Sequence, residues 1–144
     1  MVLAVNYRRT TDLFLLQIRL TMVNYPTAAY ILEANKIALA MTKDKHPHKL
    51  LIRIDGVQSL IDGVKSCENE EVTYQAACFM RDIVKLHPFD GANHRTGYLV
   101  TLLFLTQNGM RLRDVSPKVV DEFMKEIGTR EITDVQAWIE QNMV

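Results

Sequence analysis

The chain has 144 residues and a mass of 16.5 kDa, with 48% hydrophobic and 24% charged side chains. That is the size and make-up of one globular domain, and it excludes wholesale disorder and fibrous architectures. Lysine plus arginine and aspartate plus glutamate each total 17, so the formal net charge is zero and the basic excess of a typical nucleic-acid binder is absent.

Residues 1–25 carry the weakest signals. Val2–Val5 and Leu13–Val23 contain β-branched residues and read as short strands or as an irregular arm packed on the domain. Gln17 and Arg19 interrupt the second stretch well short of the roughly 20 apolar residues of a membrane span. Arg8-Arg9 is followed by no apolar signal region or cleavage site, so the expectation is a soluble cytoplasmic protein with no membrane partner. From residue 26 to residue 144 the pattern is that of one helical domain.

Pro26 suits a first helical turn, and Tyr30, Ile31, Ala34, Ile37, Ala38 and Met41 follow at helical spacing. A polar segment, residues 43–49, separates this helix from a second over about 55–65, with Val57, Leu60, Ile61 and Val64 on one stripe. Its His46 and His48 read as solvated loop residues. A third helix is expected from about Glu70 to Leu86, its opening acids complementing the helix dipole and Val72, Ala76, Phe79, Met80, Ile83 and Leu86 sharing a face. Cys78 falls in that apolar pattern as a buried small residue. Neither it nor Cys67 has the spacing of a disulfide scaffold or a zinc site.

His87-Pro88 ends the third helix. A fourth runs from about Asn93 to Asn108, so apolar over Leu99–Leu105 that it is expected at the buried centre, with Gly109 just past its end. Ser116-Pro117 starts a fifth helix that stops at Gly128. Thr133 with Gln136 makes a capping-box pattern for a last helix bearing Val135, Trp138 and Ile139. The fold class expected is all-α, a compact helical domain around a buried central helix.

The chemistry-bearing stretch is His87-Pro88-Phe89-Asp90-Gly91-Ala92-Asn93-His94-Arg95-Thr96-Gly97. It joins two helices and opens onto the N-terminus of the second, where unpaired backbone N–H groups and the positive dipole end favour phosphate. Arg95, one turn in, is placed to grip phosphate oxygens. His87 is the side chain suited to proton transfer near neutral pH. Phe89 anchors the loop in the core, while Gly91 and Ala92 allow a ligand close to the backbone. The residues read as a phosphate-binding loop beside a general base, although the same types also populate ordinary turns.

The order of these residues resembles the Fic/Doc family motif, H-x-F-x-D/E-G/A-N-G/K-R. His87, Phe89, Ala92, Asn93 and Arg95 stand at matching positions across an intact nine-residue span. The continuation through Thr96-Gly97, Leu102–Leu105 and Asn108-Gly109 is similar to the Doc (death-on-curing) branch. The resemblance runs from about Pro26 to the C-terminus. It implies an all-α Fic fold and transfer of AMP or a phosphate from ATP to a protein hydroxyl, in the Doc case as the toxin of a toxin–antitoxin pair. Carried over by position, His87 would deprotonate the hydroxyl, the amides from Asp90 to Asn93 would form an anion hole shaped by Asn93, and Arg95 would hold phosphates. Phe89, Asp90, Gly91, Ala92 and His94 complete the nucleotide-binding segment.

The match has departures. The family's metal-binding acid belongs at position 91, which here is Gly91, so Asp90 is the nearest candidate ligand for Mg²⁺. His94 replaces the usual Gly or Lys. Tyr98 stands where AMP-transferring members often carry a second Arg, which is Doc-like. Ser66–Glu71 only approaches the inhibitory pattern S/T-x-x-x-E-G/N and is read as a helix-start acid cluster, leaving restraint to a separate antitoxin-like partner. The same loop is where the resemblance places a flap for pairing with an extended target segment. The alternative reading, carried by Gly91, is a catalytically silent Fic-fold protein that binds a nucleotide, phosphate or protein partner.

Overall fold

The computed structural model describes residues 22–42 and 48–144. Val2–Val5, most of Leu13–Val23 and His46 lie outside them. The described residues form α1 (Ala28–Ala40), α2 (Ile54–Lys65), α3 (Val72–Leu86), α4 (Asn93–Gln107), α5 (Pro117–Lys125), a 3-10 turn (Ile127–Thr129) and α6 (Ile132–Gln141). The expected all-α class holds. Among the described residues, extended pairing is confined to two isolated antiparallel bridges, Leu50 with Phe89 and Leu112 with Met143. No helix among them is long and apolar enough to cross a membrane.

Local chemistry sets most helix ends. Pro26 precedes the cap and does not occupy the first turn: the Thr27 hydroxyl accepts the Tyr30 N–H, so α1 starts at Ala28. Asn69 Oδ1 accepts the Glu71 N–H at 2.9 Å, which turns the chain there, and α3 starts at Val72, with both expected acids outside it. Ser116 caps α5 through the Val119 N–H, with Pro117 in the first turn. That helix ends at Lys125, and the 3-10 turn carries the chain past Gly128. Gly109, at φ 76°, follows α4 as the left-handed terminator expected of it.

The capping box is absent from α6. Glu131 is the cap residue and Thr133 lies inside the helix. Gln136 reaches across to α3 instead, its amide donating to Glu71 Oε2 at 2.9 Å and Thr73 Oγ1 at 3.1 Å. A tertiary partner outcompetes the local one.

The core lies mainly between α3, α4 and α6. In α3 the whole run Gln75–Met80 is buried, together with Thr73 and Ile83, whereas Leu86 is half exposed at the helix end. On α4, Val100, Phe104 and Leu105 are buried but Leu99, Leu102 and Leu103 only partly so, making α3 the more enclosed of the two. Gly97 explains their close approach, because a Cβ at that position would stand 3.1 Å from the Met80 carbonyl oxygen. Phe79 packs against Phe104 with ring centroids 5.1 Å apart, and Tyr25 stacks on Phe104 at 5.9 Å. Trp138 is a packing residue, stacked 4.3 Å from Phe123. On α1, Ile31, Ala34 and Ala38 face inward while Tyr30, Ile37 and Met41 are exposed, so the periodic set divides between two faces.

Cys78 is buried as expected, and burial pushes its thiol up to about 12, with the Asp82 carboxylate and Cys67 adding to the effect. At pH 8 its thiolate is about one part in ten thousand, so a maleimide added to native protein should label Cys67 alone; mass spectrometry of peptides checks this. Phe104→Ala should cost about 3–5 kcal/mol in urea unfolding, since it empties a fully buried ring position.

Candidate functional site

Two left-handed residues bound the loop between α3 and α4. His87 has φ 50° and ψ 56°, because Pro88 behind it disfavours the right-handed helical region. Ala92 has φ 60° and ψ 29° at the cap position of α4. Each conformation costs a non-glycine residue about 1–2 kcal/mol, so buried contacts have to hold the loop.

Asn93 supplies the first of them. Its side chain is 5% exposed. Oδ1 accepts the Phe89 N–H at 3.1 Å and Nδ2 donates to the Phe89 carbonyl at 2.8 Å. These two bonds fix the orientation of the amide, so its remaining N–H faces His87 Nδ1, 3.2 Å from Nδ2. Nδ1 then accepts, which puts the proton of the neutral imidazole on Nε2. The Phe89 ring has no exposed surface and supports the loop from the core side.

Asn35 of α1 supplies the second, with no exposed surface at all. Its Nδ2 donates to the Gly91 carbonyl at 2.9 Å and to Thr96 Oγ1 at 3.1 Å. Thr96 Oγ1 in turn donates to the Ala92 carbonyl at 2.7 Å. With both amide hydrogens used, Oδ1 is left for His48, which donates from Nδ1 at 2.8 Å. His48 is therefore exposed yet anchored, its ring 5.8 Å from that of Phe89.

The segment beside the loop is also different from the one expected. Lys49 accepts the Asp90 N–H at 3.0 Å, and the Leu51 N–H donates to the Pro88 carbonyl at 2.8 Å. Ser66–Glu71 sits at the opposite end of α3, about 22 Å away along a 15-residue helix. The segment that pairs with the loop is thus the one before α2, not the one after it.

A cleft of about 730 Å³ opens at the start of α4, within the range of small-molecule sites. His87, Gly91, Ala92, Asn93, His94 and Arg95 form one wall. Leu39 and Thr42 close it at the end of α1, and Asp121, Met124 and Lys125 face it from α5. The first intrahelical bond of α4 runs from the Thr96 N–H to the Ala92 carbonyl, leaving the amides of Asn93, His94 and Arg95 at the helix start. Alanine at the cap position offers no oxygen to them. Arg95 is exposed, with Nη1 3.5 Å from the Met41 carbonyl oxygen.

Of the residues singled out in the sequence, His87, Gly91, Ala92, Asn93, His94 and Arg95 meet at this cleft. Phe89 and Asp90 do not line it: the first is core, and the second is on the exposed edge paired through its backbone with Lys49. Tyr98 borders a different groove, with Leu102, Arg111 and Val115. Burial, helped by the Asp114 carboxylate, raises its phenol above the ordinary range. The sequence reading missed Asn35, Asp121 and Lys125. Asn35 had a signal, a polar residue on the buried stripe of Ile31, Ala34 and Ala38. The α5 pair had none beyond lying on a polar face.

Among the described residues, the motif loop brings Mg²⁺ no carboxylate in the cleft. Gly91 has no side chain, Asp90 is off the cleft, and among the described residues no group of three His, Cys, Asp or Glu is placed to hold a metal ion. Among the described residues, one carboxylate, Asp121, faces the cleft.

Asn35→Ala should cost about 2 kcal/mol in urea unfolding, because it removes a fully buried amide that holds the half-buried Gly91 carbonyl and Thr96 Oγ1. His48→Ala removes an exposed partner from the same amide and should cost under about 1 kcal/mol. Equal losses would contradict the bonds to Gly91 and Thr96 as the main contribution of Asn35.

No curated relative matches the chain. A family model does: residues 25–105, which include α1 to α3, the whole of this loop and α4 up to Leu105, match that of the Fic/DOC family. Over more than half its length, and with the helical architecture to go with it, the chain belongs to the Fic/DOC family.

Proposed function

We propose that this protein is a Doc-like transferase that moves AMP or a phosphate from ATP to a hydroxyl of a protein substrate, as the toxin of a toxin–antitoxin pair. The observation that carries the proposal is the convergence of His87, Asn93 and Arg95 on one cleft at the start of α4. The family generally uses ATP, acts on protein targets and often pairs with an antitoxin.

In this reading the amides at the loop and helix start bind phosphate oxygens, and Arg95 adds charge-assisted hydrogen bonds. His87 takes the proton of the target hydroxyl as its oxygen attacks phosphorus. Attack at the α-phosphorus breaks the bond to pyrophosphate and leaves AMP on the target. Attack at the γ-phosphorus releases ADP and leaves a phosphate. Base action requires an imidazole nitrogen with a free lone pair facing the hydroxyl, hence the Nδ1–H tautomer if Nε2 is the acceptor. The Asn93 amide must then release the ring as nucleotide and target bind.

Two observations favour a second reading, a catalytically silent protein that binds nucleotide, phosphate or a protein partner. Gly91 lacks the acid of the motif, and Asn93 holds the neutral His87 with its proton on Nε2. Label transfer separates the two. Purified protein is given ATP labelled at the α- or the γ-phosphate in host-cell extract, with His87→Ala as the blank. The transferase reading expects protein label from one position only, lost in the blank. Absence of label from both positions, with the protein folded, would establish the silent reading.

A further inference from the structure

The loop belongs to a family that handles ATP, yet it brings no carboxylate of its own into the cleft. Magnesium is usually bound through one or two carboxylates together with substrate phosphates, and it sheds water reluctantly. Among the described residues the cleft has a single carboxylate, Asp121, and Lys125, four residues later on the same face of α5, stands beside it as a cation competing with any metal there. Across from them are Arg95, His94 and His87. Over the described lining residues, Arg95 and Lys125 against Asp121 leave a formal charge of +1 with both imidazoles neutral and +3 with both protonated.

The placement of α5 is well determined by packing. Met124, 2% exposed, inserts its terminal methyl against the Gly97 position of α4, 3.6 Å from where a Cβ would stand. The residue after it, Lys125, and Asp121 one turn before, are thereby held over the start of α4. The side of the cleft away from the motif is lysine and aspartate on a fixed helix.

We infer that this cleft binds the polyphosphate of its nucleotide without a divalent cation, with Lys125 of α5 supplying, together with Arg95, the positive charge that the missing acid and its metal would otherwise bring. The inference rests on the proposed nucleotide site and makes Lys125 a binding residue of it. Asp121 is then an opposing charge. Its removal strengthens binding, whereas a metal held by Asp121 would require the reverse.

The test is equilibrium binding of ATP to the full chain by calorimetry, in EDTA and in millimolar Mg²⁺. Binding in EDTA at least as tight as in Mg²⁺ is expected. Lys125→Gln should weaken it about tenfold, the scale of one charge-assisted phosphate contact. Asp121→Asn should tighten it about two- to threefold, and both effects should shrink as salt is raised. Lys118→Gln, on the same helix but outside the cleft, is the control for net charge and should change nothing. Binding that appears only with Mg²⁺, or weakens in Asp121→Asn, overturns the inference and leaves the nucleotide site standing. An unchanged affinity in Lys125→Gln overturns it as well. Absence of ATP binding in both buffers would instead remove the nucleotide site, and the inference with it.

Discussion

A buried amide side chain that cannot turn over is what the loop depends on. Asn93 meets both the N–H and the carbonyl of Phe89, four residues back, and so closes the chain into a ring whose geometry no other residue type at position 93 reproduces. Aspartate would place an acceptor against the Phe89 carbonyl, and leucine would bury both backbone groups without partners. From that closure follow the direction of the His87 ring, the inward packing of Phe89 and the left-handed turn at Ala92. The strain at the two left-handed residues is tolerable because contacts on both sides over-determine the path.

The electrostatics of the site grow from the same construction. Because the cap residue of α4 is an alanine, the cap itself brings no side-chain oxygen to the first amides of that helix. The Gly91 carbonyl, which would otherwise put negative charge near them, is drawn back to Asn35. What faces the cleft is a set of donors and cations, with Asp121 as the exception. An anion suits such a surface better than a neutral ligand does.

Much of the helical order was legible because it is local. Ser116-Pro117 and Asn108-Gly109 act through backbone geometry a few residues away, and the α2 stripe of Val57, Leu60, Ile61 and Val64 is buried as its spacing requires. Local patterns misled where a distant partner was available. Gln136 bonds Glu71 and Thr73 at the start of α3 as well as Glu140 of its own helix, leaving the box with Thr133 unmade, and Leu102 and Leu103 are only partly buried. The motif loop could be read in order, but not that Asp90 and Gly91 would part company so that only one reaches the cleft. Asn35, Asp121 and Lys125 come from helices well removed in sequence, and no spacing rule joins them to His87.

The short bridge between Leu50 and Phe89 has a mechanical meaning. Its two hydrogen bonds, together with the Asn35 amide that joins His48 to Gly91, couple three stretches of chain far apart in sequence. A fluctuation that frees the Asp90 amide must also break its bond to Lys49, so the loop and residues 48–51 open as one cooperative unit. A ligand seated on the loop alone would therefore slow amide exchange in a segment it never touches.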